Sequence, residues 1–158
     1  MPVIEIETKI KAPIEVCFDL ATSIDLHMLS TEGTNEKAIA GVISGCVKQG
    51  DFVTWEATHF GIRQKLTSVI PIVNRPFHFK DEQKKGAFKY FKHDHYFEQQ
   101  GEFTLMKDRF EFESPYGIFG KTFNSLILTN YMRKFLMQRN LMIKDFAESG
   151  KWRKILTH

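Results

Sequence analysis

Cysteine is scarce: Cys17 and Cys46 are the only two, and each stands alone. With no CxxC pair and no His/Cys cluster at zinc spacing, neither a structural zinc motif nor a dithiol redox motif is expected. No apolar run approaches the length of a membrane span. No charged segment followed by an apolar stretch precedes the first strand pattern, so a reduced, cytoplasmic protein is the expectation. Excess charge is slight, +3 over 158 residues, well short of the concentrated positive field of a nucleic-acid binder. The most basic stretch, Lys151-Trp152-Arg153-Lys154, reads as part of a solvated tail over 150–158. Membrane-surface contact through Trp152 and its cationic neighbours is the lesser reading. Nucleophile elbow, phosphate loop and HExxH are missing too, and no cofactor is expected.

What the chain has in quantity is phenylalanine, 15 residues within a hydrophobic fraction of 42%. Large rings fill cores and also make good walls for an apolar cavity. Along the chain, Ile4, Ile6 and Ile10 alternate with polar residues, which argues a strand with one wet face. Pro13 stops it. Ile14 to Ser23 reads as a short helix, and Asp25 is placed to cap a second one. A weak strand over 35–40 and a Gly-rich connection over 41–50 follow. Strand patterns then run over 52–60, 62–72, 77–80, 88–97 and 103–112, separated by turn residues, which argues an antiparallel meander rather than crossovers. From about residue 118 to 148 the apolar spacing changes to four and seven, the signature of a long helix of about 45 Å, with Gly150 as its stop. One α+β domain over 1–149 is expected: a curved antiparallel sheet of about seven strands, two short helices after the first strand, and a long C-terminal helix across it.

Register can be argued for two hairpins. With Phe60-Gly61 as a two-residue turn, His59 faces Ile62, Ala57 faces Gln64 and Trp55 faces Leu66. With Gln100-Gly101 as the turn, Phe97 faces Thr104, His95 faces Met106, His93 faces Asp108 and Phe91 faces Phe110. In both, Arg63, Lys65, Lys107 and Arg109 point to water, and slipping by one residue would bury those cations at considerable cost. The inner surface then carries Trp55, Leu66, Phe91, Phe97, Met106, Phe110 and Phe112, joined by Phe119 and Phe123 from the helix. Among them stand His59, Gln64, His93, His95 and Asp108. Apolar walls with a few polar groups are the usual anatomy of a small-molecule site.

His93 beside Asp108 has two readings: a hydrogen-bonded pair that satisfies two buried polar groups, or a proton-transfer pair in which the carboxylate orients the imidazole. The first is preferred, since paired strand positions alone are no reaction signature. A zinc site from His59, His93 and His95 is disfavoured, because successive same-face residues on one strand rarely converge on one metal.

The strings Ala12-Pro13 with Val16-Cys17-Phe18-Asp19-Leu20, Gly50 to Gly61, His93-Asp94-His95-Tyr96-Phe97, Asp108 to Phe112, Ser114-Pro115-Tyr116-Gly117 and the Tyr131-Met132-Arg133 to Arg139-Asn140 helix resemble the SRPBCC ligand-binding superfamily. That superfamily includes START lipid-transfer domains, plant allergens and polyketide cyclase-dehydratases. The resemblance covers nearly the whole chain and implies the helix-grip fold, with a deep cavity between sheet and helix. It implies no single chemistry, and the Rieske-type cysteine and histidine set of the oxygenase branch is not present.

Binding or carriage of a small hydrophobic ligand, lipid-like or polycyclic aromatic, is the leading expectation. The alternative is a cyclase or dehydratase with His93 or His95 as general base, Asp108 as its orienter, and Gln64 or Thr104 bonding a developing oxyanion. A partner-binding or membrane-surface module using the basic tail is a third reading.

Overall fold

In order along the chain come β1 (Val3–Ile10), α1 (Ile14–Thr22), α2 (Ile24–Ser30), a 3-10 turn (Glu32–Thr34), β2 (Lys37–Gly41), β3 (Phe52–His59), β4 (Ile62–Asn74), β5 (His78–Lys85), β6 (Tyr90–Gln100), β7 (Phe103–Glu113), α3 (Thr129–Ser149) and α4 (Trp152–Ile155). This computed structural model describes residues 2–86, 88–113 and 127–156. The start of the expected long helix, with Phe119 and Phe123, lies outside the described residues.

The seven strands form one antiparallel sheet in the order β1-β7-β6-β5-β4-β3-β2. Strands β2 to β7 make a meander, and β1 returns to pair with β7, so the first two strands stand at opposite edges. Helices α1 and α2 connect those edges. The Ser23 hydroxyl accepts from the Leu26 amide at 3.1 Å and caps α2. Asp25, expected as the cap, instead sits in the first turn and accepts from the Gly45 amide at 2.9 Å.

Turn chemistry explains both hairpins. Phe60 and Gly61 have φ of 52° and 76°, as a type I′ turn requires, and Trp55↔Leu66 and His59↔Ile62 pair as expected. In the β6–β7 hairpin, Gly101 (φ 64°) is the first central residue of the turn rather than the second. The register therefore differs by two from the expected one: His95 opposes Asp108, His93 opposes Phe110, and Phe97 opposes Met106. A shift of two leaves every side chain on its expected face. Phe91, His93, His95 and Phe97 are all buried, and so are Thr104, Met106, Asp108, Phe110 and Phe112.

Helix α3 packs against β1, α1 and α2 and buries Met132, Leu136, Arg139, Asn140, Ile143 and Ala147. Apart from the neighbours Arg139 and Asn140 these fall three or four residues apart, one stripe of a helix, and those two are polar. Gly150 ends it in the left-handed conformation, φ 83°. The expected solvated tail is in part a further helical turn: Trp152, Ile155 and Leu156 pack against the core formed by α1, β6, β7 and the end of α3.

That core is solid. Phe97 and Met106, expected on the pocket wall, belong to it, and the Phe18 ring lies 5.2 Å from Phe97. The reason is position along the strand. Both residues sit near the Gly101 turn, where α1 and the second half of α3 fill the space. At the other end two separate clusters form, one around Phe91, Phe110, Phe112 and Met132, the other around Val53, Trp55 and Ile70.

Candidate ligand-binding site

Residues of these two clusters face each other across a cavity of about 900 Å³, within the range of small-molecule sites. Leu66, Trp55 and Ala57 form one wall, Phe91 and Phe110 another, and α3 contributes Leu128, Tyr131, Met132, Phe135 and Leu136. The sheet puts every second residue inward, and the helix adds residues at spacings of three and four, so both periodicities deliver apolar groups to the same space.

Of the residues expected at the site, Trp55, His59, Gln64, Leu66, Phe91, His93 and Phe110 line this cavity. Phe112 lies behind it, fully buried against Phe88 and Phe110 at ring separations of 5.7 and 5.4 Å. His95 faces a second, smaller space of about 90 Å³, which His93, Asp81 and Arg139 also border. Thr104, the alternative oxyanion donor, gives its hydroxyl proton to the Ala12 carbonyl at 2.8 Å and is not on the cavity wall.

Two polar groupings interrupt the apolar lining. At one side His27 Nε2 and Glu36 Oε1 are 3.1 Å apart, and His59 Nδ1 meets the Tyr131 hydroxyl at 2.5 Å. Glu36 Oε2 is buried with no hydrogen-bond partner among the described residues. Burial pulls His59 below its ordinary pKa, partly offset by Glu36. Burial likewise raises the Tyr131 phenol, helped by the Glu36 charge. Both groups are thus neutral near pH 7, a hydroxyl and an imidazole aimed at the cavity.

The second grouping is a ring of four side chains on β5, β6 and β7, hydrogen-bonded on two of its sides. His93 Nε2 lies 2.7 Å from Asp108 Oδ1, and His95 Nε2 lies 2.8 Å from Asp81 Oδ1. The other two nitrogens stand farther off, His95 Nδ1 at 3.3 Å from Asp108 and His93 Nδ1 at 3.8 Å from Asp81. The two imidazoles stack at 3.7 Å, and Phe79 stacks on His95 at 4.0 Å. Asp108 Oδ2 accepts from Asn140 Nδ2 at 2.7 Å, and Arg139 Nη1 stands 3.5 Å from Asp108 Oδ1. Burial alone would raise the Asp108 pKa, but the hydrogen bond from His93 and the approach of His95 hold it well below the ordinary carboxylate value. Burial would raise Asp81 too, and the bond from His95 with the approach of His93 and Arg139 keeps it low. Burial, reinforced by His95, lowers His93. The ring thus holds two carboxylates and a neutral His93.

Sequence reasoning missed Asp81, Arg139 and Asn140. Asp81 follows Phe79 at strand spacing, but the polar run Asp81 to Lys85 reads as a loop. Arg139 and Asn140 lie on the buried stripe of α3, which shows only when polar residues are counted with the apolar ones. Of the three histidines weighed as a zinc site, His59 lies apart with Tyr131, while the rings of His93 and His95 are stacked and Asp81 joins them from the next strand. Cys17 is no nucleophile, since burial pushes its thiol up to about 11.

The architecture has clear counterparts among solved structures. A protein from Thermus thermophilus superposes with a TM-score of 0.70 at 16% identity, over 90% of this chain and 97% of that one. The ginseng major latex-like protein 151 from Panax ginseng gives 0.66 at 17%, over 92% and 97%. A START superfamily protein from Mycobacterium smegmatis gives 0.67 at 11%, over 87% and 92%. The chain has the helix-grip fold. At these identities the likeness is one of fold, and the SRPBCC resemblance read from the sequence holds at that level. No protein-family model matches the chain, and no curated protein matches it by sequence. Within the helix-grip fold the cavity described above is the space between sheet and long helix. Among the described residues no helix is long and apolar enough to cross a membrane.

Proposed function

We propose that the protein binds or carries a small hydrophobic molecule, lipid-like or polycyclic aromatic, between the sheet and α3. The observation that carries this reading is the cavity of about 900 Å³ walled by Trp55, Leu66, Phe91, Phe110, Leu128 and Phe135. Apolar surface facing an interior hollow is stabilised by about 25 cal/mol for each Å² that a ligand removes from water. The Glu36 oxygen that has no partner among the described residues suits a hydroxyl or amine donor on an otherwise apolar ligand, because a buried acceptor gains most from being paired.

Native mass spectrometry of the purified protein tests the proposal, together with a panel of hydrophobic ligands read by thermal stability and Trp55 fluorescence in a Trp152→Phe background. Saturable, one-to-one binding that raises the melting temperature is expected. Failure of every panel member, with no co-purifying mass, would overturn it.

A second reading, an enzyme of the cyclase or dehydratase type, draws on one observation: His93 is on the cavity wall with Asp108 at 2.7 Å. There Nε2–H donates to the carboxylate, leaving Nδ1 as the base. Once a substrate is in hand, native turnover by His93→Ala would remove His93 from that role.

A further inference from the structure

Two carboxylates and two stacked imidazoles meet at one place between β5, β6 and β7. His95 Nε2 lies 2.8 Å from the Asp81 carboxylate, and its Nδ1 stands 3.3 Å from Asp108 Oδ1. This Nδ1 has no hydrogen-bond partner among the described residues, and His95 is only 2% exposed. A buried ring nitrogen left without a partner calls for an explanation.

We infer that Asp81, His93 and His95 form a binding site for a divalent first-row transition metal ion, with Asp108 as the outer acceptor that orients both imidazoles. One ligand atom from each of the three residues lies within 4.8 Å of the others. Metal–nitrogen bonds of about 2.1 Å place ligand atoms roughly 3 to 3.5 Å apart, so the two stacked rings would tilt toward Asp81 to share one ion. On the Asp81 side the available atoms are His93 Nδ1 and His95 Nε2. Using them as lone pairs keeps the His93 proton on Nε2 and places that of His95 on Nδ1. Those are the two atoms that face Asp108 Oδ1, at 2.7 and 3.3 Å. The unpaired nitrogen then gains an acceptor, in the carboxylate–histidine–metal arrangement that fixes the tautomer of metal ligands. Asp108 is itself held in place, its second oxygen accepting from Asn140 at 2.7 Å.

Two imidazoles and one carboxylate suit Zn²⁺, Co²⁺, Ni²⁺, Fe²⁺ or Mn²⁺ and not Ca²⁺ or Mg²⁺, which prefer oxygen. Three protein ligands leave coordination positions open. Asp81 and His93 both border the large cavity, so those positions face whatever molecule it holds. The inference goes beyond hydrophobic ligand binding and stands without it.

The test uses chelator-stripped full-length protein titrated with Co²⁺ for visible d–d absorption, and loaded with Zn²⁺, desalted and assayed for bound metal. The wild type should take up one equivalent of each. His95→Asn and Asp81→Asn should lose at least about tenfold in affinity, and Asp108→Asn about 10- to 100-fold. His78→Asn is the control: His78 pairs with Asp94 at 2.9 Å through its own Nε2, on the other face of the sheet, and its loss should change nothing. Thermal unfolding of each metal-free variant establishes that it is folded, and the Zn²⁺-induced rise in melting temperature should vanish in the ligand variants only. Wild-type protein that retains no stoichiometric metal would overturn the inference. So would retention that survives both His95→Asn and Asp81→Asn, or a His95 that carries protons on both nitrogens by NMR and does not respond to Zn²⁺.

Discussion

Replacing Asp108 by Asn changes one atom and tests the electrostatics of the interior. The carboxylate accepts from His93 and Asn140 at 2.7 Å each and lies 3.5 Å from the Arg139 guanidinium. An amide offers one oxygen and one NH₂, so it can satisfy His93 or Asn140 but meets the other donor with a donor. One unmade buried hydrogen bond costs about 1 to 3 kcal/mol. Arg139 also loses its buried counter-charge, although it keeps the Ala21 carbonyl at 3.1 Å, which limits a loss that reaches about 3 to 5 kcal/mol when a buried pair is broken outright. A total near 3 to 4 kcal/mol follows, or a fall of about 6 to 16 °C in melting temperature at roughly 2 to 4 °C per kcal/mol for a chain of this size. Urea unfolding across pH supplies the decisive control. Asp108 titrates well below an unfolded carboxylate in the folded state, so it stabilises fully above about pH 4 and ever less as the pH falls toward its folded value. The gap between wild type and variant should narrow below about pH 4. A difference under about 1 kcal/mol at neutral pH, or a gap that does not shrink in acid, would refute the reasoning.

Other outcomes follow from the same geometry. Leu66→Trp should plug the cavity from its sheet wall, lowering ligand affinity more than tenfold while stability stays within about 1 kcal/mol, checked by titration and urea melts. Gly86→Ala should destabilise by about 1 to 3 kcal/mol, because its φ is 154° and a Cβ there would stand 2.9 Å from the Leu66 Cα. An unchanged melt would show that the Gly86 and Leu66 backbones are free to separate. The folded pKa of His93 is lowered by burial, so the unfolded chain binds the extra proton and stability falls as pH drops below about 6.5. In His93→Gln that part of the loss should be missing from stability measured across the same window.

Much of the inward face was legible before any coordinates, and the reasons are local. The β3–β4 register followed from Phe60-Gly61, a pair able to take two positive φ values at a two-residue turn. At Gly101 the same logic had two solutions, glycine first or second in the turn. Choosing the other one changed partners but not faces: His95 rather than His93 stands directly opposite Asp108, yet the expected His93–Asp108 hydrogen bond forms. Phe97 and Met106 face inward as expected, but pattern carries no information on how far along a strand the interior stays hollow. That depends on where α1 and α3 cross the sheet. Asp81, Arg139 and Asn140 escaped notice because hydrophobic periodicity weighs polar residues as surface, and these are polar residues that the interior keeps for one another.

The most direct check is an NMR titration of the protein with an anilinonaphthalene sulfonate dye, mapped on the backbone amides. Saturable binding with the largest shifts at Gln64, Leu66, Phe91, Phe110 and Met132 is the predicted result. Shifts confined to exposed apolar residues such as Phe77, Met137 and Leu141, with the inner strands unmoved, would contradict it.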